Sequence, residues 1–155
     1  MRKLILAGVA ASLLVAAPVA SANIVVDKSI AGVALGMTEA QVVAVVGPPK
    51  KTADSKDQIT GQPVRELVYN SMYVQILNGS VVAVSSVSKK EKTSSGAGVG
   101  MKEKSLKKKI KGLKCSGSKN RICAKGSGKP GTVTTAFSIT KSKKVRAVVI
   151  GIVID

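Results

Sequence analysis

Two segments of this chain match each other at a constant shift of 64 residues, and this duplication constrains the fold more than any other feature. Residues 31–46 read AGVALGMTEAQVVAVV, and residues 95–110 read SGAGVGMKEKSLKKKI. The matched identities are Gly32 with Gly96, Gly36 with Gly100, Met37 with Met101 and Glu39 with Glu103. Further along, Tyr73 meets Phe137, Val81 meets Val145, Ala83 meets Ala147 and Val84 meets Val148. A chain of this kind is predicted to contain one structural unit twice.

Each copy is predicted to begin with a short helix. In the first copy, Thr38 is a candidate N-cap and Gln41 completes a capping box. Gly47 and the two prolines that follow it end this helix. In the second copy, three apolar residues recur at helical spacing on one face; they are Leu106, Ile110 and Leu113.

Strand-like runs follow the helix in each copy. They cover residues 64–69, 72–77 and 81–87 in the first copy, and 121–124, 132–140 and 145–154 in the second. Asn78-Gly79 is a hairpin turn signal, whereas residues 50–63 are polar and are predicted to form a loop. The sequence therefore predicts an α+β fold of two tandem helix-plus-three-strand repeats that share an antiparallel sheet, with the helices on one face. The last run is apolar on both sides, which favours burial within the protein over contact with a partner.

The first 22 residues have the organisation of a signal peptide. Arg2 and Lys3 precede an uncharged apolar run, and small residues lead to a cleavage site after Ala22. An uncleaved anchor helix is the alternative, but about 14 apolar residues are short for a bilayer. We therefore predict an extracytoplasmic protein, secreted or periplasmic, whose mature chain has no transmembrane span. The predicted divisions are a signal peptide at 1–22, a neutral first repeat at 23–88, a linker at 89–98 and a strongly basic second repeat at 99–155.

Cys115 and Cys123 are predicted to form a disulfide, because an exported chain meets an oxidising compartment. Free or metal-binding thiols are the alternative. The chain has no histidine, which excludes histidine-dependent catalysis and histidine-ligated zinc. Asp54 and Asp57 are close in sequence, but neighbouring lysines favour their interpretation as solvated charge. The sequence thus predicts no catalytic residues, no metal site and no enzyme activity.

Two glycine-rich segments look like phosphate-binding loops. In the first, GAGVGMKEKS at residues 96–105, the matching segment of the other copy lacks one glycine and both lysines. We therefore interpret these glycines as turn residues before a helix. In the second, GSGKPGT at residues 126–132, Cys123 stands where a Walker loop needs glycine, and proline follows the lysine. Neither segment predicts a nucleotide site, and no cofactor is expected.

The motif at residues 32–48 resembles a known family. Gly-Val-x-Leu-Gly-Met-Thr-x-x-Gln-Val with a following Gly-Pro, together with the 64-residue repeat, is similar to the β-lactamase-inhibitory protein family and to small outer-membrane assembly lipoproteins of the SmpA/OmlA type. The resemblance implies a helix-plus-sheet unit whose concave sheet surface binds other proteins. The hairpin at residues 76–81 lacks a carboxylate at its tip, and a lipidated cysteine is absent. The resemblance therefore implies an exported binding module rather than either named activity.

Positive charge is concentrated towards the C-terminus. Residues 23–88 contain five basic and five acidic residues, whereas residues 89–155 contain 18 basic and three acidic ones. The predicted second helix turns most of its lysines away from its apolar face. The candidate anion-binding residues are Lys104, Lys107, Lys108, Lys111 and Lys114.

Clustered lysines attract polyanions through Coulomb attraction and counterion release. We therefore predict a non-catalytic binding module whose second repeat docks on an anionic polymer or an acidic protein of the cell envelope. Alternatively, the lysines form a solvated face that binds no ligand. Specific nucleic-acid readout is not expected, because the chain has only two tyrosines and one phenylalanine for base stacking. The alternative function is a proteinaceous inhibitor of a secreted enzyme, such as a β-lactamase, that acts through the open sheet face.

Overall fold

The computed structural model describes residues 23–56 and 61–154. In this part of the chain, eleven strands accompany two short helices. The elements in chain order are β1 (Ile24–Val25), β2 (Ser29–Ile30), β3 (Val33–Ala34), α1 (Glu39–Val46), β4 (Lys51–Lys56), β5 (Pro63–Val68), β6 (Met72–Leu77), β7 (Ser80–Ser86), α2 (Glu103–Lys109), β8 (Lys114–Ser116), β9 (Arg121–Lys125), β10 (Val133–Ile139) and β11 (Val145–Ile152). The predicted signal peptide, Asp57 and Asp155 lie outside the described residues. No helix in the described ranges is long and apolar enough to cross a membrane.

Strands β4 to β11 form one antiparallel sheet of eight strands, in the order β4-β5-β6-β7-β11-β10-β9-β8. The centre of this sheet is the pairing of β7 with β11, where Val84 lies opposite Ile150. All the other pairings in this sheet join strands that are consecutive in the chain. Strands β1, β2 and β3 form a separate antiparallel sheet. Long-range backbone pairing therefore connects the two halves of the large sheet only at its centre.

One face of the large sheet, which we call the covered face, carries the core. Val84 in β7, Phe137 in β10 and Val148 in β11 are fully buried there. Both helices add apolar side chains to the same core; Val42 of α1 and Leu106 of α2 are fully buried. The small sheet and the segment predicted as a linker pack against this core as well.

The opposite face, which we call the open face, carries smaller and more accessible side chains. Tyr73, Ser85, Val149 and Ala136 are neighbours across four adjacent strands of this face, and each is exposed or half-buried. Strand β11 is therefore buried on its covered side and only half-buried on its open side. The apolar pattern favours burial on both sides of β11. The structure buries this strand fully on the covered side only.

Helix α1 begins and ends where the sequence predicts. The Thr38 side chain accepts a hydrogen bond from the Gln41 N–H, and the Gln41 side chain accepts one from the Thr38 N–H. This reciprocal pair completes the capping box. Gly47 ends the helix with a φ of 83°, a value that glycine adopts at little cost because it has no Cβ.

The two Gly-Met pairs of the sequence match make the same backbone hydrogen bonds. The Gly36 N–H donates to the Val81 carbonyl and the Val81 N–H donates to the Met37 carbonyl, both at 2.8 Å. The second Gly-Met pair makes the equivalent two bonds with Val145, also at 2.8 Å. Both glycines have positive φ, 83° and 88°, so they form a turn that ties the chain to the large sheet just before each helix.

The sequence match does not hold position by position in β10. Phe137 is fully buried on the covered face, whereas Tyr73, its counterpart at the shift of 64, lies on the open face with 37% exposure. The connection between β10 and β11 is longer than the Asn78-Gly79 turn between β6 and β7. Between the paired residues Ile139 and Val145 there is one residue more than between Ile76 and Val81, which moves β10 by one position relative to the match and reverses the face on which its side chains lie.

The predicted α+β fold of two helix-plus-three-strand repeats is wrong. The described chain is mainly β, with one eight-stranded antiparallel sheet, a second sheet of three strands and two helices of 8 and 7 residues. The polar segment predicted as a loop contains β4, whose residues read KTADSK and are almost all exposed. An edge strand of this kind shows no apolar alternation in sequence. Strand β8 has only three residues, which is too short for a pattern to reveal it.

Candidate anion-binding surface

Helix α2 presents Lys104, Lys107 and Lys108 away from the core, whereas Lys111, which the sequence places on the same helix, lies in the turn after its C-terminal end. Its buried residues include Leu106, and Ile110 at its C-terminal end is also buried, so the apolar side of the helix faces the sheet. The exposed candidate residues, which we call the helix lysines, are Lys104, Lys107 and Lys108 of α2 and Lys111 just after it. Lys102 at the N-cap makes no side-chain capping bond. The helix is therefore held by its apolar contacts rather than by its cap.

Glu103, in the first turn of α2, is the buried carboxylate of this surface, with 7% exposure. Its two oxygens accept bonds from the Arg121 guanidinium at 2.9 and 2.8 Å. The Lys107 ammonium lies 3.0 Å from the same carboxylate. The hydrogen bonds from Arg121, and then those from Lys107, lower the pKa of Glu103 from 4.5 to about 2. The carboxylate is thus ionised at any physiological pH and neutralises part of the local positive charge.

The predicted anion-binding residues do not all lie together. Lys104, Lys108 and Lys111 make no ion pair with any described residue, so their charges face solvent uncompensated. Lys107 differs, because it is paired with Glu103. Lys114 lies in the edge strand β8 opposite Ala124, on the open face. The fold therefore separates Lys114 from the helix lysines.

Most basic residues of the N-terminal half are also without an ion pair among the described residues, and Arg65 is the exception. Arg65 in β5 contacts Glu39 at 2.8 Å and Asp54 at 3.3 Å. One acidic residue of this half, Asp27, reaches across to Lys125 of β9 at 3.4 Å. The halves therefore differ in their number of basic residues rather than in the share of those residues that is paired.

The predicted disulfide between Cys115 and Cys123 is confirmed. The two residues lie directly opposite each other in β8 and β9, and their sulfur atoms are bonded. Together with Glu103 they form a group whose ligand atoms lie within 4.8 Å. Because each sulfur is bonded to the other, neither is a thiolate that could bind a metal ion.

Three basic residues that sequence reasoning did not single out meet at one end of the open face. Lys119, Lys141 and Arg146 line a cavity of about 380 Å³ together with Ile122, Ser138 and Thr140. The sequence does contain a signal for this site. At the shift of 64, Arg146 falls on Val82, so a cation stands where the matching position holds an apolar residue.

The open face has a second, smaller hollow in the N-terminal half. It has a volume of about 230 Å³ and is lined by Glu66, Tyr73, Gln75, Ala83, Ser85 and Val149. This hollow contains a carboxylate and an aromatic ring but no basic side chain. Its chemistry therefore differs from that of the cavity around Arg146.

Comparison with known proteins gives a likeness in fold. No protein-family model matches the chain, and no curated protein matches its sequence. An extracellular protein containing a SCP domain from Bacillus anthracis superimposes with a TM-score of 0.53 at 12% identity, over 76% of this chain and 43% of that protein. A cysteine-rich secretory protein from Staphylococcus aureus gives a TM-score of 0.47 at 14% identity over the same shares, and YfeY from Escherichia coli gives 0.43 at 14% identity, over 82% and 95%. The chain thus spans less than half the length of the first two proteins.

Proposed function

We propose that this chain is an exported, non-catalytic binding module whose basic C-terminal half docks on an anionic component of the cell envelope. Export is supported by the signal-peptide pattern at residues 1–22 and by the disulfide, which is typical of proteins from oxidising compartments. The resemblance to β-lactamase-inhibitory proteins and SmpA/OmlA-type lipoproteins stays a prediction. It agrees with a binding role but supplies no partner.

The observation that carries the proposal is the set of unpaired helix lysines. These are Lys104, Lys108 and Lys111, which are exposed, have no carboxylate partner among the described residues, and lie within eight positions of each other in α2 and the turn after it. Their mutual repulsion is unfavourable for the folded protein. A polyanion would remove this repulsion and release its own counterions on binding.

The test is binding of the chain from Asn23 onwards to lipopolysaccharide, to teichoic acid and to vesicles with anionic lipids over a salt series. The proposal predicts that log affinity falls linearly with log salt concentration for at least one of these ligands. A variant with Lys104→Glu, Lys108→Glu and Lys111→Glu, which we call the helix-triple variant, is expected to lose this binding.

A matched control reverses the same number of charges elsewhere. Lys50, Lys51 and Lys56 are exposed in the neutral half, and their replacement by glutamate gives the strand-triple variant. This variant is expected to keep most of the binding. Equal losses of binding in both variants would show that binding depends only on the net charge of the protein. Absence of binding at low salt would refute the proposal.

A second candidate is an inhibitor of a secreted enzyme that acts through the open face. The accessible hollow around Tyr73 favours it, because aromatic side chains on an uncovered sheet face are typical anchors of protein interfaces. This function predicts stoichiometric inhibition that persists at physiological salt. A screen against β-lactamases and secreted proteases, with Tyr73→Ala as the disabled variant, separates it from electrostatic docking.

A further inference from the structure

The cavity around Arg146 is formed by neighbouring hairpins rather than by one charged segment. Lys119 belongs to the turn between β8 and β9, and Lys141 belongs to the turn between β10 and β11. Because β9 pairs with β10, these two turns lie at the same end of the sheet. The fold thus brings together two lysines that are 22 positions apart in the sequence.

A β-bulge adds the third cation. Ser138 pairs with Ala147, but the next residue of β10, Ile139, pairs with Val145, so Arg146 is the extra residue of β11. Bulges commonly redirect one side chain out of the regular alternation. The Arg146 guanidinium reaches the Ser138 hydroxyl at 3.4 Å. This bond is long, and the other N–H groups of the guanidinium have no partner among the described residues.

The first half of the sheet has a bulge at the matching place. Gln75 pairs with Ala83 and Ile76 pairs with Val81, so the extra residue there is Val82. The backbone feature therefore does not require a cation. The arginine at the second bulge is thus a property of the sequence at this position and not a requirement of the bulge.

The chemistry of the cavity fits a doubly charged anion. None of its lining residues is acidic. Arg146 offers a planar set of donors that suits oxyanions, Lys119 and Lys141 offer point charges, and the Ser138 hydroxyl adds a further donor. Ile122 forms an apolar wall and is 43% exposed, so it can pack against the uncharged part of a ligand.

We propose that this cavity, which we call the hairpin pocket, binds the phosphate group of a phosphate monoester. Arg146, Lys119 and Lys141 neutralise the phosphate, and Ile122 contacts the carbon skeleton that carries it. The pocket volume of about 380 Å³ lies within the range of small-molecule sites. The inference goes beyond the proposed function, because the pocket lies on the open face and requires no contribution from the helix lysines.

The test is a calorimetric and NMR titration of the purified protein with glycerol 3-phosphate at physiological salt. We expect saturable binding of one molecule per chain, with amide shifts concentrated at Lys119, Ser138 and Lys141. Arg146→Val introduces the residue found at the matching bulge, and it is expected to weaken binding at least about tenfold. Lys141→Ala, at an exposed turn, gives a second variant that does not depend on the fold of β11.

Further ligands distinguish the source of the phosphate. Inorganic phosphate is expected to bind more weakly than glycerol 3-phosphate, because it makes no contact with Ile122. Stronger binding to vesicles of phosphatidylcholine with phosphatidic acid, lost in Arg146→Val, would identify a lipid headgroup as the source. If the protein does not bind these vesicles but still binds glycerol 3-phosphate, the source is a soluble or glycan phosphate.

The helix-triple variant separates this inference from the proposed function. Binding of glycerol 3-phosphate should survive in that variant. Loss of binding there, with Arg146→Val unaffected, would overturn the hairpin pocket and support the helix lysines instead. Amide NMR shifts that grow with ligand concentration without saturation would also overturn the hairpin pocket.

Discussion

Glu103 illustrates how a single residue can organise a strongly basic surface. It holds Arg121 of β9 through two hydrogen bonds and Lys107 through an ion pair, so it links α2 to the sheet. The corresponding residue in the first half, Glu39, pairs with Arg65 in a much more exposed setting. A charged hydrogen bond is stronger where water is excluded, so the two glutamates are expected to differ in their contribution to stability.

Replacement of Glu103 by glutamine is expected to lower the free energy of unfolding by about 1–2 kcal/mol at neutral pH, because it removes a charged acceptor from Arg121. Chemical denaturation measures this change. The control is Glu39→Gln, whose exposed ion pair should contribute little. A larger loss of unfolding free energy in Glu39→Gln than in Glu103→Gln would contradict this difference between the two glutamates.

The pKa of Glu103 also predicts a pH dependence. The folded value of about 2 is below the ordinary value of 4.5, so the ionised carboxylate favours the folded state. This contribution is complete above about pH 4.5 and is lost as the pH falls towards 2. The difference in unfolding free energy between the wild type and Glu103→Gln should therefore shrink over this interval. A constant difference from pH 6 to about pH 2 would show that the loss has another cause.

The sequence predicts individual elements best where local signals fix them. Thr38, Gln41 and Gly47 define α1, and Asn78-Gly79 defines the hairpin between β6 and β7, as the structure has them. Strand β4 is not predicted, because its stability comes from pairing with β5 rather than from its own side chains. The hairpin pocket is not predicted either, since its cations come from two turns and a bulge that only the sheet brings together.

Strand β8 is the element most dependent on a covalent link. It has three residues and lies at the edge of the sheet, so few contacts hold it except the Cys115–Cys123 bond. Replacement of both cysteines by serine is expected to lower the unfolding free energy by about 2–3 kcal/mol. Denaturation with and without a reductant measures this, and only the wild type should respond to the reductant. Equal stability of the two proteins would show that the bond is dispensable.

At the scale of the whole molecule, the main feature is a neutral half fused to a strongly basic one. Residues 89–155 carry 18 of the 25 basic residues of the chain, and many of these have no ion pair in the described structure. Mutual repulsion among them opposes compaction, and salt screens it over about 10 Å at 0.1 M. Binding of an anionic partner, as proposed above, would offset this repulsion.

Added salt is therefore expected to stabilise this protein. The thermal unfolding midpoint should rise between low and physiological ionic strength, and the rise should be smaller in the helix-triple variant because that variant removes the local repulsion. The strand-triple variant serves as the control and should keep more of the salt response. A midpoint that falls with salt in the wild type would show that attractive ion pairs dominate instead.

The position of β11 has a consequence for the order in which the chain can fold. A polypeptide that emerges N-terminus first, from a ribosome or a membrane channel, delivers β11 after all the other described strands, yet β11 occupies the middle of the sheet beside β7 and β10. Until it arrives, both of these neighbours have an unpaired edge. The two halves of the large sheet can therefore join only after β11 has emerged, although the pairings between consecutive strands within each half can form earlier.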